Sequence, residues 1–238
     1  MSGGATTKMA TLGRHISTSF EGALTALRNS VLMMSSLTER LLNRSMQGLL
    51  QRDSDLCNLA IADDEEVDFL EKEVDREGVE ILLRFHPVAS DMRHVISAMR
   101  LSVNLERIAD QSVLIARRAK KLNKESNVPE VSLLEPLFRE ALGIFHDAMK
   151  VFVDGDAEMA LQLKPRDRVL DSLNKEVADK FMERIAADPS RVQSYINLIL
   201  IARALERVGD HSTNIGEDAF WASHAEDIRH TYEKKKEE

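Results

Sequence analysis

The chain has 238 residues, 43% of them apolar and 5% aromatic, and a formal net charge of -8. That charge argues against nucleic acid as the main partner, because neutralising phosphates needs a basic stripe, and the short runs Arg117-Arg118-Ala119-Lys120-Lys121 and 234–236 read as helix-end and tail charges. Apolar runs such as 196–202 are far shorter than the roughly 20 residues of a spanning helix, and no basic start leads into an apolar stretch, so a cytosolic protein is expected.

Leu24, Leu27, Val31, Met34, Leu41 and Leu42 recur at helical spacing and predict a first helix over about 20–50, which stops at Gln51-Arg52-Asp53-Ser54-Asp55. Met33 and Met34 are expected to fill the core. Cys57, the single cysteine, can form no internal disulfide and fits a reducing compartment, with packing as its expected role. Val67, Leu70, Val74 and Ile81 mark a second helix, which breaks at Pro87. A third follows, with Leu101, Leu105, Ile108, Ser112, Ile115, Ala119 and Leu122 alternating spacings of four and three. The polar stretch 123–129 reads as a linker.

The same order then returns. Residues 137–153 form a helix that stops at Asp154-Gly155-Asp156; Leu170, Leu173, Val177 and Phe181 mark the next, which breaks at Pro189; Ile201, Leu205, Val208, Ser212, Ile215, Ala219 and Ala222 mark the last. Both acidic breaks suit capping of the helix that follows. Residues 105–119 and 205–219 are identical at seven of fifteen positions, so the chain is a duplication. The expected fold is all-α: two tandem three-helix bundles, 8–123 and 130–230. No Gly-rich phosphate loop or strand pattern points to an α/β enzyme.

The repeat also preserves acids that a core does not need. Glu106 and Asp110, and Glu206 and Asp210, lie four apart, hence on one helix face; the preceding helices carry Asp64 with Asp68 and Asp167 with Asp171. Like charges at this spacing disfavour a bare helix by about 0.2–0.5 kcal/mol per pair, and a bound cation would remove that cost. An isolated pair is ordinarily a solvated face; recurrence on both helices of both halves favours metal. Because Glu106 and Asp110 fall off the apolar seam, the metal is expected on a shallow surface. All-carboxylate ligands suit Mg, Ca, Mn or Fe, with softer metals less favoured.

Other candidates read as structural. The Glu-x-x-His pairs of a catalytic di-iron bundle do not occur; the nearest spacings, Asp91-x-x-His94 and Asp227-x-x-His230, read as a helix start and a tail. His211 adjoins Asp210, but its counterpart is Gln111. Ser112 and Ser212 lie on the apolar phase, where a small residue lets helices approach.

The doubled Leu-Glu-Arg-Ile/Val-Ala/Gly-Asp, the acidic pair before each copy, and His86-Pro87-Val88-Ala89-Ser90-Asp91-Met92-Arg93 closely resemble the PhoU family of phosphate-uptake regulators, over residues 12–221. The resemblance implies two three-helix bundles with multinuclear metal clusters on their surface. The ligands would be drawn from Asp64, Asp68, Glu106, Asp110, Asp167, Asp171, Glu206 and Asp210, and the ion from Fe, Mn, Mg, Ca or Zn. It further implies a non-enzymatic cytosolic adaptor between a phosphate ABC importer and a sensor histidine kinase, which represses the phosphate-starvation response when phosphate is plentiful. Paired bundles also suggest a homodimer. The halves depart from one another where Arg191-Val192-Gln193-Ser194-Tyr195 stands opposite Asp91-Met92-Arg93. Two alternatives are an accessory protein of a sodium- or proton-coupled phosphate carrier, and a metal-dependent enzyme or metal store.

Overall fold

The computed structural model describes the backbone of residues 3–229 and the side chains of 18–229. Within that range lie six long helices and no strand: α1 (Gly3–Leu50), α2 (Ser54–Phe85), α3 (Ala89–Leu122), α4 (Glu135–Asp154), α5 (Ala157–Ala187) and α6 (Val192–His224). Short 3₁₀ segments at Pro129–Leu134 and Pro189–Arg191 lead into α4 and α6. His230 and the lysines at 234–236 lie outside the described residues, as does the last residue of the expected second bundle.

The breaks work as their residues require. Asp53 caps α2 by accepting hydrogen bonds from the backbone N–H of Asp55 (2.8 Å) and Leu56 (3.2 Å), and Asp156 caps α5 by accepting from that of Met159 (3.0 Å). Gly155 ends α4 in the left-handed region at φ 69°, with its N–H donated to the Val151 carbonyl, a conformation glycine adopts without a Cβ clash. The first half places Arg52 at φ 55° instead. Its guanidinium donates to the carbonyls of Asn123 (3.0 Å) and Glu125 (2.6 Å), so the strained turn is tied to the end of α3. Pro87 and Pro189 sit in the breaks after α2 and α5.

The stripes read from periodicity form the core. Leu101, Leu105, Ile108, Ser112, Ile115, Ala119 and Leu122 of α3 are buried, and so are Ile201, Leu205, Val208, Ser212, Ile215, Ala219 and Ala222 of α6. Leu27, Val31, Met34, Leu41 and Leu42 meet them from α1, and Leu137, Ile144 and Phe145 from α4. Burying each large side chain contributes roughly 1.5–3 kcal/mol. Ser112 and Ser212 donate to the carbonyls four residues back, Ile108 (2.9 Å) and Val208 (2.6 Å), as small residues in a tight seam. Met33 departs from expectation: it is 57% exposed while Met34 is buried. Adjacent helical residues point about 100° apart, so both cannot face one core.

The largest interface in the molecule is between α3 and α6, so the two helices that carry the repeated motif also join the halves. They run antiparallel. Arg100 pairs with Asp218 (3.1 Å) and Arg118 donates to Asn197 (3.3 Å) at opposite ends, with His211 against Asn104 (3.1 Å) between them.

Candidate metal centre

Each half sets its two acidic pairs facing one another across adjacent helices. In the first, Asp64 and Asp68 of α2 meet Glu106 and Asp110 of α3; in the second, Asp167 and Asp171 of α5 meet Glu206 and Asp210 of α6. Within each set the acids lie close enough for some to raise others. Burial, then Asp68 and Asp110, pushes the Asp64 carboxyl up to about 6. Burial, then Asp110, raises Glu106 to about 7, and burial, then Asp167 and Glu206, raises Asp210 to about 6. Glu206 and Asp171 also move upward for the same two reasons. Holding all four as anions is therefore unfavourable without a compensating cation.

The acids lie on a shallow surface, with Asp68, Asp110 and Asp171 exposed, and only Asp167 is buried. Asp110 is 48% exposed at its side chain, but Glu106 is 18% exposed and Asp167 only 1%. The reason for the burial of Asp167 lies on the facing helix. Where α3 has Ala109 and Ala116, α6 has Gly209 and Gly216, and a Cβ on either glycine would fall 2.3 Å from Leu170 or 2.0 Å from Leu163. The missing methyls let α5 settle onto α6 and carry Asp167 inward.

Two further residues shape the sites. Glu71 joins the first set, where burial, then Asp75 and Asp68, raises its carboxyl. Its signal was its position three residues after Asp68 on the same face. Lys164 joins the second, donating to one oxygen of Asp167 (2.7 Å) while the other oxygen, buried, has no hydrogen-bond partner. The first set has its own cation in Arg107, which pairs with Glu106 (3.4 Å) and Asp110 (3.5 Å), so each half partly neutralises its acids. His211 is held below its ordinary value by burial, with Arg107 and Arg207 adding to it; it bonds Asn104 rather than the acids.

Among the described residues, no three carboxylate, imidazole or thiol groups converge tightly enough to hold an ion in the rotamers they adopt. The donor set nevertheless fits one. Each half offers four hard oxygen donors, and the orphaned oxygen of Asp167 is a buried acceptor in the second set. Asp91 lies in the first turn of α3 and His94 bonds the Ser90 carbonyl (2.8 Å), both local roles; Cys57 is buried, and burial raises its thiol to about 11, which leaves it a packing residue.

Comparison with known proteins agrees with the duplication. The family model described as the PhoU domain matches twice, over 31–119 and 134–219. The chain is 32% identical over 220 residues to a phosphate-specific transport system accessory protein PhoU homolog of Pseudomonas putida, covering 92% of this chain and 86% of that one. It is 29% identical to the phosphate-specific transport system accessory protein PhoU of Escherichia coli, over 92% and 91%. The crystal structure of PhoU from Pseudomonas aeruginosa superposes with a TM-score of 0.84 at 30% identity, over 87% of this chain and all of that one.

Proposed function

This chain belongs to the PhoU family, and from that premise we propose that it is an accessory regulator of phosphate uptake and of the phosphate-starvation response, acting through binding rather than bond making. The observation that carries the reading is the family match in both halves, joined to relatives whose names place them with the phosphate-specific transport system. In the finer form of the proposal the protein is a cytoplasmic adaptor between a phosphate ABC importer and a sensor histidine kinase. Such an adaptor shifts its partners' populations by binding one state more tightly than another. No helix among the described residues is long and apolar enough to cross a membrane, so contact with the importer would be peripheral.

The eight carboxylates of the two sets would hold divalent or trivalent ions, with oxygen-preferring metals favoured. A bound ion would supply positive charge that neutralises each set and leaves coordination positions for a partner's oxygen atoms. Leu59, Phe69, Val79 and Leu83 stand exposed on α2, and such apolar surface supports a homodimer; light scattering that gave only monomer mass would remove this part.

The test of the regulatory role is a promoter reporter for the starvation response in cells lacking the protein. The expected result is expression in abundant phosphate, restored to silence by the intact chain; a reporter that stays silent without the protein overturns the reading. Affinity purification from cells grown with and without phosphate identifies the partner. Recovery of a sodium- or proton-coupled carrier in place of an ABC importer would reassign the transporter.

A further inference from the structure

Beside the first acidic set, a cleft of about 670 Å³ runs along the C-terminal half of α3, lined by Arg117, Arg118, Lys120, Lys121 and Lys124 with Asp64 and Asp110 at one end. Five cations against two carboxylates make it a local excess of three positive charges in a chain whose net charge is -8. None of the five has a carboxylate within 4.0 Å among the described residues; Arg118 alone has a polar side-chain partner, Asn197. Residues three and four apart on a helix are neighbours, so Arg117 repels Lys120 and Lys121.

The duplication gives an internal control on whether the fold needs these charges. One hundred residues on, Arg117-Arg118-Ala119-Lys120-Lys121 becomes Glu217-Asp218-Ala219-Phe220-Trp221. Ala119 and Ala219 are both buried, so the seam is kept while its flanks are not. In the second copy the flanks are used in packing: Asp218 pairs with Arg100, whose guanidinium lies 5.0 Å from the Trp221 ring, and His224 stacks on Phe220 at 4.4 Å. In the first copy Arg117, Lys120 and Lys121 line an open cleft without a carboxylate partner, and Arg118 reaches across to Asn197. A role as helix-end charges would account for Lys120 and Lys121 in the last turn, but not for Arg117, Arg118 or Lys124 beyond it.

We propose that this cleft binds an oligophosphate, either a nucleoside triphosphate or an inorganic chain of three or more phosphates. Its volume falls within the range of small-ligand sites. Arginine forks and lysine ammoniums together match several closely spaced phosphate groups, which a single inorganic phosphate does not offer. Asp64 and Asp110 confine the anion to the Lys120–Lys124 end. Val113 and Leu114 give the cleft an apolar wall against which a base could lie. The inference does not depend on the regulatory role proposed above.

Calorimetric titration of the full chain at low salt, with ATP, tripolyphosphate and inorganic phosphate as separate probes, tests it. ATP and tripolyphosphate are expected to bind, and inorganic phosphate to bind at least tenfold more weakly. Equal affinity for the first two identifies the phosphate chain as the ligand; tighter ATP adds contacts to the base. The Arg117→Gln, Lys121→Gln variant should lose tenfold or more in affinity, while Arg76→Gln, Arg84→Gln on α2 changes nothing. Unchanged thermal melting of both variants would establish that the fold is intact. No binding of either polyphosphate, equal loss in the α2 variant, or binding only to phosphatidylglycerol vesicles would overturn the proposal, the last assigning the face to a membrane.

Discussion

Protons and cations compete for the same oxygens at Asp64, Glu106 and Asp210, and the competition fixes a pH dependence. All three have folded-state values above the ordinary 3.8 or 4.5, at about 6, 7 and 6. Above pH 7 each is charged in both folded and unfolded chains, and the folded protein carries the full penalty of burial and mutual repulsion. As pH falls through 7 and 6 the folded protein takes up protons that the unfolded chain does not, so stability is gained, until about pH 4 where both are protonated. The chelator-treated protein should therefore melt at a higher temperature at pH 5 than at pH 8. Added Mn or Mg should raise the melting temperature at pH 8 and have little effect at pH 5, because ligands must first lose their protons. A melting temperature of chelated protein that fell steadily from pH 8 to 5 would contradict this. In the Asp110→Asn, Asp210→Asn double variant, metal content measured by mass spectrometry should drop and the pH dependence should flatten; unchanged metal content counts against the sites.

Between elements, the two halves hold their first two helices together with the same ion pair in opposite polarity. Arg44 on α1 pairs with Asp63 on α2, and 103 positions later Asp147 on α4 pairs with Arg166 on α5. The same offset superposes buried Met34 on Leu137 and Leu41 on Ile144. The pair is therefore a property of the packing, indifferent to which helix carries which sign. Arg44→Asp or Asp63→Arg alone should each destabilise by about 1–2 kcal/mol. The exchange of both should be more stable than the sum of the singles by about 1 kcal/mol, with part of the loss kept because Arg40 also rests on Asp63 (3.1 Å). Urea denaturation of the four proteins measures this, and strict additivity would refute it. Periodicity made the helices and the seam legible in the sequence, because burial of one stripe repeats every turn. Residues such as Asp167 were not legible in the same way: its burial depends on Gly209 and Gly216 one helix away, and a one-dimensional pattern does not report how closely two helices approach. Glu71 and Lys164 were legible in principle, three residues from Asp68 and Asp167, but a single charge carries no repeat to mark it.

At the scale of the molecule, the α3–α6 interface decides whether two bundles behave as one protein. Its residues include buried Ser97 and Asn197, and its bonds cross at both ends: Ser97 donates to the Asp218 carbonyl (2.9 Å) and Arg93 to that of Ala222 (3.2 Å) at one, and Arg118 donates to Asn197 (3.3 Å) at the other. Separating the halves would break these bonds and expose the apolar seam of both helices to water. Each half has its own core, but each also loses the cover over the apolar face of its last helix once the other opens. Heat should unfold the chain in one cooperative transition, with the calorimetric enthalpy equal to the van't Hoff enthalpy. Leu105→Ala and Leu205→Ala, one on each side, each remove a fully buried side chain and should cost about 2–5 kcal/mol. Coupled halves require each variant to lower the single melting temperature as a whole. Independent halves would instead split the calorimetric trace into two peaks, with each substitution moving only the peak of its own bundle.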